Sequence, residues 1–217
     1  MKSKKIGIIG SGQVAQTLGN GFLAEGYRVM LSSREEGKLE NWAQSAGDLA
    51  SFGTFDQAAK FGDIIVLAVS GKAAEQAVEL AGIQNIKGKT VIDVTNPIAQ
   101  EPPVNGVLKF FTDLNQSLME KLQLKAPESH FVKSFSCVGS HFMVNPVFSE
   151  GSPSMFICGD NEAAKNEVKQ ILDLFGWEVE DMGGAEAARA IEPLCMLWCI
   201  PGFRENKWNH AFKLLKG

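Results

Sequence analysis

Apolar and polar positions along the chain fall into two alternating patterns. Short runs of strand-forming, largely apolar residues recur at 4–9, 27–31, 51–55, 63–69, 90–94 and 131–135. Between them lie longer stretches with apolar residues at helical spacing: 12–25, 36–46, 73–81 and 113–124. Strand and helix in alternation predict an α/β protein with a doubly wound, mainly parallel sheet. Asp63-Ile-Ile-Val-Leu-Ala-Val69 is apolar on both faces, as a central parallel strand must be. Thr54 or Asp56 can cap the helix that precedes it. Residues 98–111 carry prolines and no clean period, which predicts a loop over the active-site side. Further on, strands are expected at 154–158 and 177–180, and helices at 161–175, 185–200 and 206–215. The expected organisation is a dinucleotide-binding domain over 1–140. A C-terminal, largely helical extension over 141–217 packs on the same sheet, completes a second site and supplies a dimer interface.

The first run breaks into Gly10-Ser11-Gly12-Gln13-Val14-Ala15, and a helix follows at once. Strand, tight glycine turn and helix N-terminus in this order make a Rossmann-type dinucleotide site. Gly10 permits the turn, Gly12 lets the backbone approach a pyrophosphate, and Ala15 lets the helix pack on the strand. The phosphates then meet unpaired N–H groups at the positive end of the helix dipole. The motif without its context is weak, since glycines also mark ordinary turns. After the second strand stand Ser32, Ser33 and Arg34, where an NAD site usually carries a carboxylate. Two hydroxyls and a guanidinium suit a 2′-phosphate, and Lys38 adds charge. The expected cofactor is therefore NADP(H). The plain alternative for Arg34 is a solvated surface charge beside Glu35.

The remaining strand ends extend the site. Val69 and Ser70 are expected near the adenosine ribose and pyrophosphate. Thr95, Asn96 and Pro97 are expected near the nicotinamide, with Asn96 donating to a ribose or carboxamide oxygen. Ser136, Cys137 and Val138 face the same ring. For Asn96-Pro97 a simple turn is an equal reading. Catalytic candidates are few. His141 can reach a substrate but more often such a histidine is packed or at the surface. Lys133 alternates with apolar neighbours, which predicts a solvent-facing side chain. Glu192 and Arg189 are three apart and are expected to pair. No acid–base set stands out, which fits hydride transfer between two redox carriers.

Composition narrows the classes. The chain has 217 residues, 45% of them apolar, and a net charge of −4. That supports one large domain. It offers no basic stripe for nucleic acid and no apolar stretch near the roughly 20 residues of a membrane span. Met1-Lys-Ser-Lys-Lys5 runs straight into the first strand, so no signal peptide is expected and the expected location is cytoplasmic. Cys137, Cys158, Cys195 and Cys199 lie in apolar contexts without metal-type spacing, and His130, His141 and His210 add none. Buried reduced thiols and no metal site are the expectation.

Several segments together carry a family resemblance: Ile8-Ile-Gly-Ser-Gly-Gln-Val-Ala15, Ser32-Ser-Arg34, Asp93-Val-Thr-Asn-Pro97 and Val132-Lys-Ser-Phe135, then Phe156-Ile-Cys-Gly-Asp160, Ala188-Arg-Ala-Ile-Glu-Pro-Leu194 with Leu197-Trp198, and Ala211-Phe-Lys-Leu-Leu215. Over nearly its whole length the chain resembles the NADPH-dependent coenzyme F420 reductases, or F420-dependent NADP oxidoreductases. The resemblance implies NADP(H) on the first half, a flat redox acceptor (coenzyme F420 or a flavin) stacked near the nicotinamide, and a homodimer that buries C-terminal helices. A related domain is fused to membrane ferric reductases that use a flavin. The chain departs from relatives at Ser136-Cys137, where Asn-Thr is frequent, and in the charged loop Pro201–Trp208. Two other readings stay open: an NADP-binding redox sensor or interaction module without robust turnover, and a small-substrate dehydrogenase or imine reductase using His141.

Overall fold

The structure, a computed structural model, describes residues 4–217; Met1, Lys2 and Ser3, where the reading of the leader begins, lie outside the described residues. Six parallel strands form one sheet: β1 (Lys5–Ile9), β2 (Arg28–Ser32), β3 (Ala50–Gly53), β4 (Ile64–Leu67), β5 (Thr90–Asp93) and β6 (His130–Lys133). Their spatial order is β3-β2-β1-β4-β5-β6. The order reverses between β1 and β4, and a crevice opens there at the carboxyl ends.

Helices cover both faces. Ile6, Ile8, Ile64 and Val66 point into one core with Leu18 and Phe22 of α1 (Gln13–Ala24) and Trp42 of α2 (Glu40–Ala46). Ile9, Ile65 and Leu67 point into the other with α3 (Phe55–Phe61), α4 (Gly71–Ala81) and the short α5 (Ile83–Ile86). Burial on both sides is why these strands read as unbroken apolar runs. Thr54 caps α3 in a capping box with Gln57. α2 begins only at Glu40, because Gly37 at φ +74° turns the chain first. α6 (Leu118–Lys125) likewise starts late: Asp113 Oδ1 accepts from Asn115 N and Gln116 N, and Ser117 then caps the helix with Glu120.

The C-terminal part differs from the expectation in three ways. β7 (Ser154–Ile157) and β8 (Glu178–Asp181) form their own two-stranded parallel sheet, joined to β6 through a bridge between Lys133 and Cys158. They share the first core through Met155 and Ile157, together with α7 (Glu162–Leu174). The stretch 185–200 is broken: a short turn, then α8 (Ala188–Ile191), then α9 (Leu194–Glu205), with the break at Glu192-Pro193. Residues 206–215 are not helical. Asn206 takes φ +53° and ends α9, Trp208 lies against Gly202, and Ser154 N donates to Phe212 O at 2.8 Å. The tail's helical period is overridden by these long-range partners.

Candidate functional site

The crevice beside β1 is built from backbone. Gly10 has φ +145°, and a Cβ there would sit 2.2 Å from the Ala68 carbonyl oxygen, so the turn admits only glycine. Gly12, the N-cap of α1, is the opposite case: a Cβ on it meets nothing within 4 Å. The first turn of α1 carries no acidic residue, and the first N–H to find a helical partner is that of Gln16, on Gly12 O. The N–H groups of Gln13, Val14 and Ala15 therefore have no acceptor within the helix, at its positive end. Ser11 is tied down by Gln16 Nε2, which donates to its carbonyl at 3.0 Å. Gly10, Ser11 and Gly12, together with Ser33, Arg34, Glu35, Lys38, Val69 and Ser70, line one cleft of about 200 Å³. An open glycine cradle, free helix N–H groups and a guanidinium fit a dinucleotide phosphate.

Past β2 the predicted residues part company. Ser32 is fully buried and its hydroxyl donates to Ile8 O at 2.7 Å. It holds β2 to β1 and cannot grip a phosphate, which corrects the expectation. Ser33 accepts from Glu35 N at 2.9 Å, and Arg34 is exposed. Lys38 pairs with Glu35 at 2.8 Å, so part of its charge is already neutralised.

Thr95, Asn96, Pro97, Ser136, Cys137 and Val138 do not line this cleft; the ends of β5 and β6 beyond it are polar and closed. Lys133 is fully buried, not solvent-facing, because the end of β6 is covered by β7 and by the α8–α9 junction. Its ammonium reaches Asp93 Oδ2 at 2.7 Å, Thr95 O at 2.8 Å and Glu192 Oε1 at 2.9 Å. Burial alone would lower its pKa, but the two carboxylates outweigh it and hold it above the ordinary range. Glu192 also accepts from Leu118 N and Met119 N at 3.0 Å, the free first turn of α6. The expected Glu192–Arg189 pair does not form. Arg189 points outward and binds both oxygens of Glu120 through Nε and Nη2. Asp93 Oδ1 accepts from Thr95 N at 2.9 Å and Thr95 Oγ1 at 2.6 Å.

Thr95 is thereby fixed, and Asn96 and Pro97 follow from it. Asn96 Nδ2 donates to Ser136 O at 2.9 Å, which brings the ends of β5 and β6 together. Its amide donor is engaged by protein, and Asn96 Oδ1 and Ser136 Oγ are left buried without partners. Gly71 packs so close to this turn that a Cβ would lie 2.0 Å from Asn96 O. Phe135 holds φ +59° just after β6, a strained conformation for an aromatic residue. Cys137 and Val138 are buried, and burial pushes the Cys137 thiol up to about 12. All four cysteines are free and buried. His141 is exposed on the turn after Gly139, its ring 4.2 Å from that of Phe142. A Cβ on Gly139 would touch both His141 and Trp198, so His141 lies beside α9. The sequence singled out Lys133 and Glu192, but nothing in their spacing reveals that they meet.

A parallel sheet in this order, with a glycine turn at its switch point and an arginine after β2, defines a Rossmann-type dinucleotide-binding fold. Residues 5–97 match the family model described as NADP oxidoreductase, coenzyme F420-dependent, and bear out the resemblance read from the sequence. A crystal structure from Arthrobacter sp. FB24, provisionally described as an F420-dependent NADP-reductase, superposes with TM-score 0.90 at 26% identity, covering 98% of this chain and all of that one. Rat metalloreductase STEAP3 is 28% identical over 92% of this chain, and human metalloreductase STEAP2 is 26% identical over 87%. The chain spans only 39% and 35% of those two proteins. An NADP+ complex of an imine reductase from Myxococcus stipitatus, at 16% identity and TM-score 0.66 over 89% of this chain and 60% of its own, shares the fold. The family-model match over residues 5–97 and the fold are those of NADP-dependent oxidoreductases. Among the described residues, no helix is long and apolar enough to cross a membrane.

Proposed function

We propose that this chain transfers hydride between NADPH and a flat acceptor of the deazaflavin or flavin type. In this reading Ser11 to Val14 bind the pyrophosphate through backbone N–H groups. Arg34, with Ser33 and Lys38, binds the 2′-phosphate, and Val69 and Ser70 flank the adenosine ribose. Thr95 to Pro97 and Ser136 to Val138 border the nicotinamide, and residues 141–217 complete the acceptor side. The observation that carries the reading is the cleft joining Gly12 to Arg34, in a segment that matches the family model.

The surroundings of the nicotinamide end support hydride transfer over acid–base chemistry. Lys133 is buried between two carboxylates and donates to Thr95 O, and burial keeps Cys137 protonated. When bound, the dinucleotide supplies the hydride, and the protein's part is to position it and exclude water. The exposed Leu197 and Phe203 on α9 support a homodimer through this helix, which sedimentation would test.

The deciding assay follows NADPH oxidation by absorbance with coenzyme F420, FMN, FAD and riboflavin as separate acceptors. Turnover with one of them is expected, and His141→Ala should leave it unchanged. NADPH binding with no oxidation by any acceptor would refute hydride transfer to this class and favour a sensor. Loss of turnover in His141→Ala would favour a small-substrate dehydrogenase.

A further inference from the structure

Three ionisable groups from distant parts of the chain, Asp93, Lys133 and Glu192, meet in the interior, each no more than 1% exposed. Replacing such a cluster by apolar side chains of similar size often leaves a protein as stable or more so. Stability is therefore a poor reason for its presence, and its geometry is the better one. The Lys133 ammonium meets three different segments: it donates to Thr95 O in the turn beyond β5, and it forms ion pairs with Asp93 at the end of β5 and Glu192 at the α8–α9 break. Glu192 passes the connection on to the first N–H groups of α6. One ammonium thus staples both ends of the segment 94–117, which leaves β5 through Thr95–Pro97 and re-enters helix at Leu118. No hydrophobic core residue could fix the Thr95 carbonyl in this way, because that bond needs a donor.

We propose that Lys133 is a positioning residue for NADP(H). It sets the Thr95–Pro97 turn that borders the nicotinamide, and through Glu192 it ties that turn to α9. This rests on the NADP(H) reading above. The staple acts on one end of the crevice only: none of its members lines the cleft from Gly10 to Arg34. Damage to it should change how the nicotinamide is held and spare the adenosine phosphates.

The test uses two probes on the full chain. Affinity for 2′,5′-ADP reports the adenosine end, and the affinity of NADPH with its nicotinamide fluorescence on binding reports the other. Two variants are compared with the native protein. Thr95→Val removes one hydroxyl bond to Asp93 and leaves the ions in place. The triple variant Asp93→Asn, Lys133→Met, Glu192→Gln removes all three charges at similar volume and avoids stranding any of them. We expect both to bind 2′,5′-ADP within about twofold of native. NADPH affinity should fall about tenfold in the triple variant, the scale of one lost hydrogen bond, and less in Thr95→Val. The fluorescence change should shrink in the same order, although the triple variant melts near the native temperature. Native NADPH affinity and fluorescence in both variants would overturn the proposal, as would equal loss for both probes. If the triple variant does not fold, Thr95→Val decides by the same criteria. A native protein that binds neither probe would overturn the NADP(H) reading itself, and the proposal with it.

Discussion

The two ends of the crevice are built on opposite principles. At the phosphate end the chain contributes backbone: a glycine turn, free N–H groups of α1 and exposed side chains. At the end proposed for the nicotinamide it contributes a closed network of side chains, in which Lys133 pairs with Asp93 and Glu192 and Asp93 holds Thr95. The first arrangement leaves donors unsatisfied until an anion arrives. The second satisfies its own charges and uses them to hold a turn in place. Under the proposed function, one end binds and the other aims.

The largest effect should come from breaking the closed end. Lys133→Met leaves two carboxylates buried without their cation, which costs about 3–5 kcal/mol. In a chain of this size that lowers the melting temperature by roughly 6–20 °C. A thermal scan showing a drop of under 3 °C would mean that the network is not a closed one.

The glycine turn divides within itself. Gly10→Ala forces a Cβ against the Ala68 carbonyl at a positive φ, and should cost at least about 2 kcal/mol by urea unfolding. Gly12→Ala meets no protein atom and should change stability by no more than about 1 kcal/mol. It should nevertheless weaken NADPH at least about tenfold, because the new methyl occupies the phosphate's approach. Equal effects of the two substitutions on stability would erase the distinction between turn-making and ligand-facing glycine.

This division also explains what was legible in the sequence. Gly10 and Gly12 are set by local backbone geometry and Arg34 by its position after a strand, and both are encoded within a few residues. The central strands β1, β4 and β5 are legible for a related reason, since burial on both faces leaves runs rich in Ile and Val. Ser32 and Ser33 are adjacent and chemically identical, and only the pleat of β2 decides that the first is spent on Ile8 O. Lys133 looked like a surface residue because alternation along one strand says nothing of what covers its end. Its partners, Asp93 and Glu192, are far away in sequence. The same holds for residues 206–215, whose helical period yields to bonds with Ser154 and Trp198.

Arg34→Ala tests the exposed side of the phosphate end. Loss of a charge-assisted contact to a 2′-phosphate should weaken NADPH by about tenfold, while NADH, which lacks that phosphate, should bind as before. Isothermal titration with both nucleotides would measure it. A parallel loss for NADH would show that Arg34 acts on the fold.

The smallest expected effect concerns two ion pairs that flank the two ends. Glu35–Lys38 lies at the phosphate end, both partners exposed and three residues apart. Glu120–Arg189 lies at the nicotinamide end, where Arg189 binds both oxygens of a largely covered Glu120 that also accepts from Ser117 N. The Arg189 hydrogen bonds outweigh burial and bring the Glu120 carboxyl down from 4.5 to about 2. A carboxyl whose folded pKa is depressed stabilises the protein above its unfolded value and loses that contribution as it is protonated. The contribution is therefore complete above about pH 4.5 and disappears as pH falls toward 2. With Arg189 partly in solvent it is worth about 1 kcal/mol. Glu120→Gln should lower stability near neutral pH by that amount and flatten the acid limb of a stability–pH curve between those values. Glu35→Gln should change neither, because a solvated pair gains little from its own geometry. If Glu35→Gln flattened the acid limb as much as Glu120→Gln, the open end would be as tightly bound by its own charges as the closed one.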